Sequence, residues 1–296
     1  MSDIMQTDPT ARIRRFNRTV TAEVGALDTS FLGRGRPLGA ARVLCAIGPA
    51  GCDLARLRVN MRLDSGLLSR LLRGLEEEGL IVTEPSPSDR RRRIARPTPK
   101  GKKEIAAYDR LSDARAAALL SRQRRNAEAL LAAMDLIATA LARDRIELAE
   151  TDPETPEARW CLGEYYATLA RRFDTGFDVT RSLDPEAKAL RPPLGAFLIA
   201  QCDGVPLGCV ALKGNGSEAG EIKRLWIAPA ARGMGLATRL MEMAETRARA
   251  LGMTVLRLDT NRTLAEAIAL YRRLGWTEIA PFNTEPYAHH WFEKRL

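Results

Sequence analysis

The stretch Arg232-Gly233-Met234-Gly235-Leu236-Ala237 has residue types that bind anions. Ahead of it runs an apolar, strand-forming segment, Ile222 to Ile227, closed by Pro229. Behind it, Leu236, Leu240, Met243, Ala244 and Leu251 recur at helical spacing. A strand that feeds a glycine-bearing turn into a helix N-terminus leaves backbone N–H groups free under the positive end of the helix dipole, a site suited to a pyrophosphate. Gly233 and Gly235 let the main chain come close to phosphate oxygens. Such a turn also occurs for conformational reasons alone, so its surroundings decide its meaning. A second group points to a different anion. Ser65, Gly66, Ser69, Arg70 and Arg73 fall opposite the leucines at 68, 71, 72 and 75, a short polar helix face able to approach base edges and phosphates. Arg90, Arg91, Arg92 and Arg93 form a run at a hairpin tip that matches the potential of a narrow minor groove. The alternative for the run is a solvated strand edge that discourages aggregation.

The elements that carry these residues follow from periodicity and punctuation. Over the first half, helices are expected at 9–33, 38–47, 54–59 and 66–78, the last capped by Asp64 or Ser65 and ended by Gly79. A hairpin follows, with strands at 80–83 and 90–95 around Pro85-Ser86-Pro87-Ser88-Asp89. Two long helices, 100–123 and 125–143, come next. Two short helices, a third helix and a two-stranded wing, framed by long helices, make a winged helix-turn-helix. The second half reads as a strand at 146–149, a helix at 158–173, a mixed loop at 174–193, strands at 195–201 and 206–212, the central strand and glycine turn, a strand at 255–259, a helix at 264–274 and two tail strands. That order is α+β, with helices around a mixed central sheet.

The first half resembles the MarR family of transcription regulators, through SGLLSRLLRGLEEEGLI at 65–81, DRRRR at 89–93 and TPKG at 98–101. The resemblance covers roughly residues 8–145. It implies a homodimer joined through the first and last helices, a recognition helix in the major groove of a double-stranded operator and a wing at the minor groove. Ser65, Ser69, Arg70, Arg73, Arg90, Arg91 and Arg93 are the expected DNA contacts. Pro97 departs from the apolar residue expected before TPKG, which would shorten the second wing strand.

The second half, roughly 145–296, resembles the GNAT superfamily of acetyl-CoA-dependent N-acetyltransferases. The carriers are the order Arg-x-x-Gly-x-Ala at 232–237, Asn261 and Tyr271 within ALYRRLGW. The resemblance implies acetyl-CoA as co-substrate, its pyrophosphate on the amides of Arg232, Gly233, Met234, Gly235, Leu236 and Ala237, and its pantetheine arm along Leu225, Trp226 and Ile227. It also implies a contact to the arm or adjoining backbone from Asn261 and a general acid at Tyr271 for the leaving thiolate. Each has a plainer reading: Asn261 as an Asx-turn at a strand end, Tyr271 as a core aromatic. Glu221, at the start of the central strand, is a base acting through water or an exposed edge carboxylate. Arg171 and Arg172 would suit a substrate carboxylate, or form a cation pair at a helix C-terminus. Adjacent His289 and His290 point to opposite faces of a strand, and two histidines so spaced make no metal site.

Composition sets the frame. The 296 residues suffice for two domains, expected at 1–145 and 146–296. The formal charge of +9 is uneven: residues 1–148 hold 27 Lys+Arg against 18 Asp+Glu, and residues 149–296 hold 19 of each. A polyanion partner is therefore expected for the first half only. Five scattered cysteines, without metal-ligand spacing, read as free thiols, with Cys52 in a turn the one candidate for redox reactivity. No apolar run spans a bilayer and no signal-peptide core opens the chain, so a cytoplasmic protein without membrane contact is expected. The leading expectation is a bifunctional regulator and N-acetyltransferase acting on a small amine or amino-acid-like substrate, with acetyl-CoA or substrate tuning DNA binding. Three alternatives stay open: a regulator whose second domain only senses acetyl-CoA, a protein-lysine acetyltransferase, and an enzyme whose basic half merely dimerises it.

Overall fold

Asp64 and the leucines that follow it set the geometry of the first half. The Asp64 carboxylate accepts from Leu67 N at 2.8 Å, and Leu68, Leu72 and Leu75 turn inward from the helix it caps. The computed structural model describes residues 8–87, 89, 91–181 and 187–296. Contacts divide the chain into Met1–Arg125 and Asn126–Leu296.

In the first unit, α1 (Pro9–Glu23), α2 (Leu38–Ile47), β1 (Cys52–Asp53), α3 (Leu54–Met61), α4 (Ser65–Glu77), β2 (Ile81–Pro85), β3 (Arg93–Pro97) and α5 (Pro99–Arg122) follow one another. The strands order β1-β3-β2, all antiparallel. This is the expected winged helix-turn-helix, with three differences. The first helix does not reach residue 33: it stops at Glu23, where Gly25 takes φ +65° and reverses the chain. Asp53 caps α3 and also sits on a two-residue strand that pairs with Ile94, a strand too short for any periodicity to reveal. Pro97 does not shorten the wing: it pairs with Ile81 as the last residue of β3, at a strand end that tolerates proline.

The core of this unit gathers Val43, Leu44 and Ile47 of α2, Leu57 of α3, the α4 leucines, Ile81 of β2 and Tyr108 of α5. Beside it lies a charged cluster. Arg36 reaches Glu78 at 2.7 Å, Glu104 at 2.6 Å and the Tyr108 hydroxyl at 3.0 Å, and Arg34 forks onto Glu104 at 2.9 and 2.5 Å. Phe31 stacks on Tyr108 with ring centroids 5.8 Å apart. The Arg34 hydrogen bonds, helped by Arg36 and opposed by burial, hold the Glu104 carboxyl down at about 2. Burial pushes the Cys52 and Cys45 thiols up, away from the reactive thiolate.

The second unit begins with α6 (Ala127–Leu141), followed by β4 (Glu147–Thr151), α7 (Pro156–Arg172), β5 (Ala196–Cys202), β6 (Val205–Lys213), β7 (Ala219–Ile227), α8 (Leu236–Ala250), β8 (Val255–Thr260), α9 (Ala265–Arg273), β9 (Thr277–Ile279) and β10 (His290–Arg295). Here α6 clusters with the sheet, whereas the sequence reading groups it with the first half. The seven-stranded sheet runs β4-β5-β6-β7-β8-β10-β9, and β7 with β8 is its one parallel pair. The sheet is mixed, as expected. Beta-5 and β6 are buried almost throughout and read as continuous apolar runs, because helices cover both faces. Among the described residues no helix is long and apolar enough to cross a membrane, and no group of three or more His, Cys, Asp or Glu could hold a metal ion.

Replacing Glu104 with Gln should destabilise the protein by ~1–3 kcal/mol at neutral pH, because two guanidinium groups lose their charged partner. The folded carboxyl lies below its usual 4.5, at about 2. The wild-type advantage should therefore be full above pH 4.5 and vanish as pH falls through about 2. Urea midpoints of both proteins across that range check it.

Candidate functional site

The register of β7 and β8 builds the site. Ala219, Gly220 and Glu221 pair with Val255, Leu256 and Arg257, and no pairing follows toward Ile227 and Thr260. The two strands part there. Beta-7 is also bent at this point. Its pairing with β6 slips between Cys209 and Ala211, and Arg224 takes φ +56°, a left-handed conformation that is costly for a side chain of this kind. A wedge thus opens between the central strands, with main chain of β7 along one side.

Beyond the wedge lies the glycine turn. Gly233 and Gly235 adopt φ +75° and +81°, and a Cβ on either would meet no atom within 4 Å, so both face open space. Gly235 is the N-cap of α8 and gives no side-chain cap. The amides of Leu236, Ala237 and Thr238 therefore have no recorded backbone partner, the arrangement an anion needs. A cavity of about 460 Å³ lies against this turn. Leu225, Trp226 and Ile227 line it together with Arg232, Gly233, Gly235, Leu236 and Ala237. Met234 does not line it. The Arg232 side chain folds back to Ile227 O at 3.3 Å. Arg273, at the end of α9, also lines the cavity and was not singled out in the sequence, because a cation in a helix's last turn reads as a dipole partner. Shape, free amides and nearby guanidinium groups fit a nucleotide thioester carrying a pyrophosphate.

A smaller pocket of about 80 Å³ adjoins the wedge, lined by Lys223, Arg224, Asp259, Tyr271, Glu285 and a set of aromatic rings. Leu225, Leu264 and Ala267 line both spaces, so the two meet at the parted strands. Tyr271 is buried, and burial, with the Asp259 charge adding to it, pushes its phenol well above the usual value. It carries its proton throughout the neutral range. Asp259 Oδ2 accepts from Lys223 Nζ at 2.5 Å and from Asn283 Nδ2 at 2.9 Å, and Asn283 in turn accepts from Trp291. Neither Asp259 nor Lys223 was singled out in the sequence; alternation along β7 and β8 offered the signal, a charged residue on each strand beyond the point of pairing.

Other candidates lie elsewhere. Glu221 sits at the last position of β7 that pairs with β8 and does not line the pocket. It holds Lys213 at 2.8 Å and Lys223 at 3.6 Å, and so touches the pocket only through the Lys223–Asp259 pair. Asn261 lines the smaller pocket rather than the larger cavity. Its amide donates to Tyr287 O at 2.7 Å and its carbonyl accepts from Thr263 N at 2.9 Å, an Asx-turn that ties two loops. Arg172 is held by Glu266 and Thr263 O, Arg171 donates to the Thr168 hydroxyl at 3.3 Å, and neither lines the smaller pocket. His290 pairs with Glu278 at 2.7 Å, away from both spaces.

In the first unit, Ser65, Ser69, Arg70 and Arg73 all stand exposed on one face of α4. The Ser69 hydroxyl donates back to Ser65 O at 2.7 Å and keeps its lone pairs outward. Of the wing arginines, Arg92 is held by Asp53 at 3.0 Å, and Arg96 nearby by Glu84 at 2.7 Å. Arg91 and Arg93 are exposed with no recorded ion pair among the described residues, and Arg90 lies outside those residues.

Comparison with known proteins gives the following. The chain matches the acetyltransferase (GNAT) family over residues 137–276 and the MarR family over residues 34–92. The IAA acetyltransferase of Azospirillum brasilense is 38% identical over 104 residues, which cover 34% of this chain and 66% of that protein. An uncharacterized N-acetyltransferase of Schizosaccharomyces pombe is 36% identical over 122 residues, 39% of this chain and 72% of the other. Among solved structures, a GNAT-family acetyltransferase of Staphylococcus aureus is 15% identical, with a TM-score of 0.44 over 51% of this chain and 98% of that one.

Gly235→Glu would set a carboxylate, in a strained backbone, against the free amides of α8. Calorimetric titration with acetyl-CoA should lose its heat in this variant. Retention of binding within a factor of about 3, under 1 kcal/mol by the usual affinity arithmetic, would move the pyrophosphate off this turn.

Proposed function

Because the chain belongs to the GNAT acetyltransferase family through its second unit, with a MarR-family region in its first, we propose that it is a regulator of double-stranded DNA joined to a working acetyl-CoA-dependent N-acetyltransferase of small amines. One observation carries the enzymatic part: a buried, proton-bearing Tyr271 and a carboxylate, Asp259, share the small pocket that meets the coenzyme cavity where β7 and β8 part. Acetyl-CoA supplies the acyl group. The chain's own residues do the rest. The turn at 232–237 holds the pyrophosphate, and β7 from Leu225 to Ile227 lies along the arm. Asp259, its Oδ2 held by Lys223 and Asn283, takes a proton from the incoming ammonium so that a neutral amine attacks. Tyr271 offers a hydrogen bond to the departing sulfur; its raised pKa keeps that proton on the ring until sulfur needs it. Glu221 acts at one remove, by fixing Lys223. A domain that only sensed acetyl-CoA would need neither Asp259 nor Tyr271 in the pocket.

For the regulatory part, α4 is the reading helix and the β2–β3 hairpin the wing, with Arg70, Arg73, Arg91 and Arg93 toward DNA. Ile13, Phe16, Val20 and Val24 leave an exposed apolar stripe along α1, which supports a homodimer of the kind the MarR resemblance implies. A route for acetyl-CoA to tune DNA binding lies in α6. This helix starts directly after the first unit and packs on the turn Pro229–Ala231, which leads into the pyrophosphate loop. We retain a cytoplasmic location as the compartment of both activities.

Tyr271→Phe should lower kcat about 100-fold or more with acetyl-CoA affinity unchanged, as removal of one proton-transfer group does. Steady-state kinetics against calorimetric affinity reads the split, and an unchanged rate would make Tyr271 a core aromatic. Arg70→Ala and Arg91→Ala should each weaken operator binding by ~1–3 kcal/mol if they touch bases. Gel retardation at fixed salt, with and without acetyl-CoA, measures this and the coupling together; equal affinities in both conditions would remove the coupling.

A further inference from the structure

Rings from three chain segments wall the acceptor pocket. Tyr166 of α7 stacks on Phe177 with centroids 5.8 Å apart and planes 12° from parallel. Phe177 meets Tyr287 at 4.9 Å, and Phe173 lies 5.7 Å from Tyr287 and 5.8 Å from Phe177. All four line the pocket. Hydrogen bonds tie these segments together. Asp178 N donates to the Tyr287 hydroxyl at 3.0 Å, joining the loop after α7 to the segment before β10, and Asn261 holds the Tyr287 carbonyl at 2.7 Å.

Charge in the same pocket is balanced. Lys223 is paired with Asp259, and the two further charged side chains that line it, Arg224 and Glu285, carry one charge of each sign. Arg172 is paired with Glu266, Arg171 donates to the Thr168 hydroxyl, and neither arginine lines the pocket. No surplus cation among the described residues would fix an amino acid's carboxylate, and no surplus of carboxylates would hold a polyamine. What the pocket offers is π surface at one end and Asp259 with Tyr271 at the other. Aromatic walls suit a flat apolar body and also a nearby ammonium.

We infer that the acceptor is a small arylalkylamine, its ring seated against the pocket side of the cluster of Tyr166, Phe177 and Tyr287 and its primary amine delivered to Asp259 beside the parted strands. The inference rests on the acetyltransferase reading above. In the reaction the amine nitrogen forms a bond to the acyl carbon and the carbon–sulfur bond breaks. The ammonium first gives one proton to Asp259, which passes it to solvent; the neutral nitrogen then gives up one more as it is acylated and the departing sulfur takes one, yielding an N-acetyl amide and free thiol.

The test uses the full chain at saturating acetyl-CoA with phenethylamine, tyramine, spermidine, glycine and a lysine-bearing peptide. The arylalkylamines should exceed the others in kcat/KM by about 10-fold or more, the factor that 1.4 kcal/mol of ring contact supplies. Phe177→Ala should raise the KM for phenethylamine about 5- to 10-fold, on the same ring-contact scale, with the KM for acetyl-CoA unmoved. Phe177→Leu, which keeps apolar bulk, guards against a folding defect and should recover only part of the loss. Preference for spermidine, glycine or the peptide would overturn the inference and leave the acetyltransferase reading standing. A Phe177→Ala effect equal on both substrates would also overturn it. Inertness of every amine, with acetyl-CoA still bound by calorimetry, would instead sink the acetyltransferase reading and this inference with it.

Discussion

The separation of two parallel strands is the constraint on which the second unit depends. Beta-7 and β8 pair through Glu221 and Arg257 and then diverge. Backbone polar groups left without a partner inside a protein are costly, so such a gap persists only where something else uses it. Here the gap is reinforced by Arg224 at φ +56° and by the slip in register against β6. Left-handed geometry at a non-glycine residue costs on the order of 1–3 kcal/mol and survives where its surroundings over-determine it. The cavity at the glycine turn and the pocket under the aromatic rings share lining residues at this place, so one irregularity in the sheet brings the two spaces together.

Electrostatics then divides the labour among the carboxylates. Lys213, Glu221, Lys223 and Asp259 alternate in sign from the paired part of the sheet to the pocket. The alternation holds Lys223 against Asp259 in a setting where each is largely covered. Tyr271 sits opposite, in apolar surroundings that favour its neutral form. In the proposed mechanism a base whose orientation is fixed by neighbours and an acid kept protonated by burial are set apart by their environments, so that one small pocket would serve both proton steps.

The first unit follows another logic. Its ion cluster of Arg34, Arg36, Glu78 and Glu104 joins the loop before α2, the end of α4 and α5, and its stabilising pairs are internal. Among the described residues, the exposed arginines on α4 and the wing have no such ties, apart from Arg92 and Arg96. Cations used for structure and cations left for a polyanion are thus distinct sets. Holding the wing's base with Asp53 and Glu84 while Arg91 and Arg93 stay open orients the hairpin without consuming its charge.

The sequence by itself determined the order of elements, the two folds and the glycine turn at the N-terminus of α8. These are written in local rules: the leucine spacing of α4, the Asp64 cap, the strand-to-glycine-to-helix pattern around Gly233 and Gly235. It also carried the charge asymmetry and hence the polyanion partner. Tertiary structure decided the rest. That Asp259 rather than Glu221 lines the pocket depends on where β7 and β8 stop pairing, a relation between residues 36 or more positions apart in the chain. That Asn261 ties a loop, and that Arg172 is spent on Glu266, depend on partners in other elements. The aromatic box joins α7, the loop after it and the segment before β10, and no local period links those. Residue type and spacing fix what a short segment prefers, whereas a site is made by distances between segments, and those are settled only when the sheet twists, bulges and parts.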